Sequence, residues 1–130
     1  MTDGIQKILL KLGEASCYFL CFCKAAGKTL DETVEAYIHV VNKGWMEPNC
    51  FIKCPQEICN YVLGKNYRYR YSVDLDQKAD IIIAKYVRNS ATHFVLLNKD
   101  GSLAFDSYGD ESPICKYGKI DSYRLFYLDN

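Results

Sequence analysis

The sequence predicts an α+β fold in which N-terminal helices pack on a C-terminal antiparallel sheet. Up to Gly64 the apolar residues recur at the three- and four-residue spacing of helices, and after it they alternate with polar residues as in half-buried strands. Asn98 to Gly101 has the composition of a hairpin turn. Helices followed by hairpin-connected strands are typical of the α+β class.

The composition indicates one globular domain over residues 1–130. Hydrophobic residues make up 49% of the chain and charged residues 25%, which are ordinary proportions. Sixteen Lys and Arg balance sixteen Asp and Glu, so no global positive field favours nucleic acid. No apolar run is long enough to cross a bilayer, and we predict no membrane partner and no cofactor. Seven cysteines without a secretion signal favour a cytoplasmic protein that uses most of them as small buried hydrophobes.

Start and stop residues mark four predicted helices. The first runs from Asp3 to Leu12, and the second from Cys17 to Ala26, with the side chain of Ser16 expected to cap its free N–H groups. Thr29 to Glu32 has the sequence of a capping box and opens the third helix, whereas Pro55 suits the first turn of a fourth helix that ends at Leu63. The side chains expected on the buried face of the third helix are Val34, Tyr37, Ile38 and Val41.

Alternation and short apolar runs predict the strands. They are Tyr67–Val73, Asp80–Val87, His93–Leu97, Ser102–Ser107, Ile114–Lys116 and Tyr123–Leu128. The hairpin register decides whether Asp106 reaches His93. A two-residue loop at Lys99-Asp100 places the two residues directly opposite each other, and a bulge at Gly101 places them diagonally. The sequence leaves both registers open.

Cys17 is the residue that suggests chemistry. As the first residue of an apolar helix it lies at the positive end of the helix dipole, which lowers the pKa of a thiol. A nucleophilic thiol needs a base, and the base needs an orienting group. His39 is expected on the surface of the third helix, whereas His93 begins a strand and Asp106 lies on the next strand.

This order of Cys, His and Asp resembles the papain-like superfamily of thiol hydrolases. In size and spacing the chain is most similar to the leader-peptide-processing peptidase domains of bacteriocin exporters. The resemblance implies that Cys17 is the nucleophile, His93 the general base and Asp106 the orienting residue. We predict no metal at this site.

The chain departs from the papain-like pattern at two places. Family members carry a Gln about six residues before the cysteine as an oxyanion donor, where this chain has Lys11, with Gln6 further back. Loss of one such donor typically lowers the rate by about 10²–10³. Tyr18 replaces the Gly that commonly follows the family cysteine, so it narrows or blocks the expected cleft.

Two further resemblances concern longer strings. Thr92 to Leu97 and Phe105 to Gly109 resemble the His and Asp strands of the adenain and SUMO-protease group, whose cysteine comes later in the chain. An uncharacterised family of small phage- and plasmid-borne proteins is similar over nearly the whole chain. The strings that carry this second resemblance are Ser16–Phe19, Gly44–Met46, His93–Val95 and Gly118–Phe126.

The sequence thus predicts a cytoplasmic thiol hydrolase that cleaves a peptide or related amide bond in a peptide or protein substrate. The alternative is a catalytically inactive phage or plasmid protein with the same fold that engages a host protein. A zinc site is a further alternative, suggested by Cys50, Cys54 and Cys59, although these cysteines lack the tight C-x2-C spacing. The segment from Tyr67 to Tyr71 suggests an aromatic and basic surface for single-stranded nucleic acid, although alternation places its tyrosines and arginines on opposite faces.

Overall fold

A computed structural model of the chain describes residues 16–107 and 113–129, and the structural statements below refer to these residues. The predicted helix from Asp3 to Leu12 lies outside them, as do Gln6 and Lys11. The described elements are α1 (Cys17–Ala25), α2 (Leu30–Asn42), α3 (Pro55–Leu63), β1 (Tyr67–Ser72), β2 (Ile81–Arg88), β3 (Ala91–Leu97), β4 (Leu103–Phe105), α4 (Pro113–Tyr117) and β5 (Lys119–Leu128). The α+β class is as predicted, with the N-terminal helices packed on an antiparallel sheet.

Local sequence accounts for the ends of α2 and α3. The N–H of Thr29 donates to the Glu32 carboxylate at 2.9 Å and the N–H of Glu32 donates to Thr29 Oγ1 at 3.2 Å, which completes the capping box. Pro55 occupies the first turn of α3, where its missing N–H costs nothing. Gly64 ends α3 with a φ of 73°, a left-handed conformation that favours glycine.

Two helix predictions are corrected. Ser16 occupies the N-cap position of α1, but its backbone (φ −117°, ψ 19°) is not extended and its side chain makes no capping hydrogen bond. On α2 the buried residues are Thr33, Val34, Ala36 and Val40, whereas Ile38 is 49% exposed. Val34 is buried and Tyr37 and Val41 pack against the core, as predicted. The prediction is wrong at Ile38, because the packed face extends instead towards the small residues Thr33 and Ala36.

The sheet has the strand order β1-β5-β2-β3-β4, and every neighbouring pair is antiparallel. The last strand, β5, is central, between β1 and β2. It covers Lys119–Leu128 and is longer than the predicted Tyr123–Leu128, because its first residues pair with β2 beyond the end of β1. The described part of the chain contains no helix with the length and apolar character needed to cross a membrane.

Each face of the sheet carries its own apolar cluster, since successive strand side chains point to opposite faces. The face that packs against α1 is called the α1 face, and its cluster includes Phe19, Phe22, Ile83 and Phe126, with Phe94 and Leu96 at its margin. The other face is called the α4 face, and its cluster includes Ile82, Ala84, Val95, Leu97 and Leu125, with Cys115 of α4 packed against it.

An irregularity in the hairpin decides where Asp106 points. Leu96 pairs with Phe105 and Leu97 pairs with Leu103, so the register shifts between them. Directly paired residues share a face. Phe105 therefore lies on the α1 face with Leu96, consistent with Lys24 of α1 lying 5.7 Å above its ring. Asp106 follows Phe105, so alternation directs it to the α4 face.

The predicted strand at Ile114–Lys116 is wrong, because these residues lie within helix α4. A three-residue apolar run does not distinguish a strand from a helical turn, and Pro113 before it favours a helix start. α4 ends at Gly118, whose N–H donates to the Ile114 carbonyl at 2.9 Å. A Cβ at Gly118 would lie 2.6 Å from the Val87 carbonyl oxygen of β2, so glycine allows the close approach of α4 to the sheet.

Candidate active site

His93 and Asp106 form a buried pair on the α4 face. Nε2 of His93 lies 2.6 Å from Oδ1 of Asp106, and both side chains are completely inaccessible to solvent. Such a short bond to a carboxylate is strong and fixes the orientation of the ring. The expected contact between these two residues is therefore present, and Nδ1 is the ring nitrogen directed away from Asp106.

Cys17 lies beside the same strand. It is the first residue of α1, and the main-chain N–H of Phe94 donates to its Sγ at 3.4 Å. Covalent geometry then places Sγ no more than about 6 Å from Cα of His93. Folding thus brings Cys17, the residue pair His93–Phe94 and Asp106 to one end of β3.

The imidazole and the thiol approach β3 differently. Phe94 points to the α1 face, where its ring stacks on Tyr18 at 4.5 Å. Its neighbour His93 points to the α4 face, because successive side chains alternate. Sγ of Cys17 therefore accepts a hydrogen bond from the main chain of β3, whereas the sequence predicted a contact with the imidazole of His93. The catalytic pairing of Cys17 with His93 stays a prediction.

The thiol of Cys17 differs electrostatically from the sequence-based expectation. Burial raises its pKa above the ordinary value, and the N–H groups of Phe94 and Tyr18 oppose that rise by bonding to the thiolate. The start of the helix was expected to lower the pKa. Desolvation outweighs that local effect because α1 lies against the sheet.

Cys17 opens into a cleft with a volume of about 800 Å³. One wall is the loop from Asn49 to Lys53, in which Cys50 has a left-handed φ of 71°, a conformation that a non-glycine residue rarely adopts. The opposite wall is the α1 face of the sheet, with Lys85, Thr92 and Arg124. Tyr18 lines the cleft beside Cys17 and does not block it.

Cys115 is the site residue that sequence reasoning missed. One ligand atom each from His93, Asp106 and Cys115 lie within 4.8 Å of one another. The sequence carried one signal for it, the similarity to the adenain and SUMO-protease group, in which the cysteine follows the His and Asp. The false strand at Ile114–Lys116 obscured that signal.

This cluster contains the nitrogen, oxygen and sulfur atoms that bind zinc. The 2.6 Å bond between His93 and Asp106 is shorter than the separation of two ligands on one tetrahedral ion, so the pair is arranged for a hydrogen bond. The cysteines proposed for zinc, Cys50, Cys54 and Cys59, do not form such a cluster in the described residues.

The other sequence alternatives have structural explanations. His39 is half-buried on α2, where its ring stacks on Tyr61 at 3.8 Å and contacts the edge of Trp45. On β1, Arg70 pairs with Asp76 at 3.4 Å and lies 5.6 Å from the ring of Tyr127. The tyrosines of β1 point to the other face, so the tyrosines and the arginines of this strand do not form one platform.

Comparison with known proteins gives a family match over most of the chain. The model of a family described as "Protein of unknown function, DUF261" matches residues 3–128. No curated protein and no solved structure matches the chain.

Proposed function

We propose a function for this chain, which belongs to DUF261, a family of proteins of unknown function: it is a papain-like, cysteine-dependent hydrolase of a peptide or related amide bond. The observation that carries the proposal is the hydrogen bond from the N–H of Phe94 to Sγ of Cys17. It holds a cleft-lining thiol next to the residue whose imidazole is bound to a buried carboxylate.

In the proposed reaction, Sγ of Cys17 attacks the carbonyl carbon and the thiol proton passes to Nδ1 of His93, which must reach Sγ past the main chain of β3. Asp106 keeps Nε2 hydrogen-bonded, so the imidazolium is stabilised and Nδ1 is the nitrogen that exchanges the proton. The imidazolium then gives the proton to the leaving amine, and water hydrolyses the thioester. The N–H of Cys17 supplies one oxyanion donor at the start of α1.

A second candidate is a binding protein that retains the fold without catalysis and holds a host protein in the same cleft. The complete burial of His93 on the α4 face favours it, as does the raised pKa of Cys17. An imidazole in that position acts as a base only if it reaches Sγ past the main chain of β3.

Alkylation of Cys17 by iodoacetamide, followed across pH by peptide mass mapping, separates the two candidates. A hydrolase should label at Cys17 with a plateau below pH 8, and His93→Ala should slow labelling at pH 7 by about 100-fold, the usual contribution of a general base. His39→Ala is the matched control. It removes the second of the two histidines, which stacks on Tyr61 and does not line the cleft.

The binding protein is the correct candidate if labelling rises only above pH 9 and is the same in wild type and His93→Ala. Since His93 is buried, His93→Gln provides a second variant that retains a polar side chain. Thermal unfolding of each variant shows whether a change in labelling reflects lost folding.

A further inference from the structure

The cleft in front of Cys17 carries positive charge. Lys53, Lys85 and Arg124 line it, and no Asp or Glu is among its described lining residues. This is a local imbalance, since the whole chain has equal numbers of basic and acidic residues. Cations gathered in a cleft raise the local concentration of anionic ligands.

None of these three cations forms a direct ion pair within the described residues, and the nearest carboxylate in a hydrogen-bond chain is that of Asp121, which Oγ of Ser122 links to Arg124. The lysine and arginine ion pairs there join Arg70 to Asp76 and Lys99 to Asp80. Arg124 is fixed in the cleft wall: its guanidinium carbon lies 4.8 Å from the ring of Tyr71 and 5.4 Å from that of Phe94. It also donates to Oγ of Ser122 at 2.7 Å.

We propose that the cleft binds an acidic peptide, with carboxylates of the ligand at Lys85 and Arg124 and its main chain along the thiol of Cys17. The description of this peptide as a substrate rests on the proposed hydrolase, whereas its acidic character rests only on the charges of the cleft. An acidic peptide is favoured over a nucleic acid because the thiol faces the cleft and attacks carbonyl carbon, which a peptide supplies at every residue.

The first test compares two alkylating reagents of similar size at Cys17, the anion iodoacetate and the neutral iodoacetamide. Relative to free cysteine, the ratio of the iodoacetate rate to the iodoacetamide rate should rise at least tenfold at low salt. One unit charge at contact distance in water changes a rate about fivefold, so Lys85→Gln and Arg124→Gln should each lower the ratio by about that factor.

Lys65→Gln is the matched control, because it removes an exposed cation that does not line the cleft. It should leave the ratio unchanged. In 1 M NaCl the wild-type ratio should approach that of free cysteine, since the screening length falls to about 3 Å. A wild-type ratio equal to that of free cysteine at low salt overturns the proposal.

The same measurement separates this inference from the proposed function. Loss of a general base slows both reagents alike, so His93→Ala should leave the ratio intact. If His93→Ala changes neither rate while the ratio stays high, the hydrolase is wrong and the acidic ligand stands.

Peptide binding provides a second test, independent of the reactivity of Cys17. Fluorescein-labelled peptides of alternating Ala with Glu, Gln or Lys are titrated with the Cys17→Ala protein and followed by anisotropy, beside a single-stranded oligo-dT. The Glu peptide should bind best, and Lys85→Gln combined with Arg124→Gln should weaken it at least tenfold. Equal binding of the Gln peptide, tighter binding of oligo-dT, or no peptide binding overturns the proposal.

Discussion

The two faces of the sheet differ in where they keep their reactive groups. The α1 face is covered by helices and contains four buried cysteines, and the partly exposed Cys17 lies at a cationic cleft that the buried Cys50 also lines. The α4 face has a smaller apolar cluster and contains the fully buried pair of His93 and Asp106, with Cys115 nearby. Strand β3 alone separates the thiol from the imidazole.

This difference means that the two halves of the proposed catalytic arrangement are held by different kinds of packing. Both side chains of the His93–Asp106 pair are inaccessible to solvent. Their hydrogen bond is therefore necessary for stability, because an unpaired polar group in the core is costly. Cys17 is only partly buried, and its sulfur accepts a hydrogen bond from the main chain of β3. We therefore expect the packing of the α4 face to be stabilised by its polar pair, and that of the α1 face by the burial of apolar side chains.

The largest expected effect is the loss of the buried pair. Asp106→Ala should lower the free energy of unfolding by about 3 kcal/mol, because it leaves the imidazole of His93 without its carboxylate in the core. Urea unfolding measures the change. Glu35→Ala, on the exposed side of α2, is the control and should change it by less than about 0.5 kcal/mol. A loss below about 1 kcal/mol for Asp106→Ala would remove the proposed contrast between the faces.

A smaller effect is expected from the buried thiols of the α1 face. Burial raises the pKa of Cys23 to about 12 and that of Cys59 to about 12, from an ordinary value of 9.0. Above pH 9 the unfolded chain releases these protons while the native state keeps them, so stability is present below pH 9 and is lost as the pH rises towards 12. Each thiol should remove roughly 1 kcal/mol by pH 10.

Urea unfolding between pH 7 and pH 10 checks this dependence. Cys59→Ala removes one of the titrating thiols and should show a shallower decline than wild type. Identical slopes in the two proteins would show that the thiol of Cys59 does not contribute.

The smallest effect is expected at Cys17 itself. Cys17→Ala should change the free energy of unfolding by about 1 kcal/mol or less, because the residue is partly exposed at the first turn of α1. The measurement is again urea unfolding, run beside Asp106→Ala. A larger loss at Cys17 than at Asp106 would reverse the comparison and show that Cys17 is a structural residue.

Local signals in the sequence predicted the elements that depend on neighbouring residues. The capping box at Thr29, and Pro55 with Gly64 around α3, act within a few residues, so they were sufficient to place helices. The predictions that failed concern packing. Which face of α2 is buried depends on what lies against it, and Ile114–Lys116 is too short for its own pattern to decide between a helix and a strand.

The sequence by itself determined the α+β class and selected Cys17, His93 and Asp106 as the candidate catalytic residues. It did so because hydrophobic period and residue type are properties of the chain. Only the tertiary structure decided that the hairpin irregularity directs Asp106 to the face of His93. It alone decided that Cys17 meets the main chain of β3, that Cys115 joins the pair and that three distant cations share one cleft. These are contacts between residues far apart in sequence, and long-range pairing, not local propensity, fixes which of them meet.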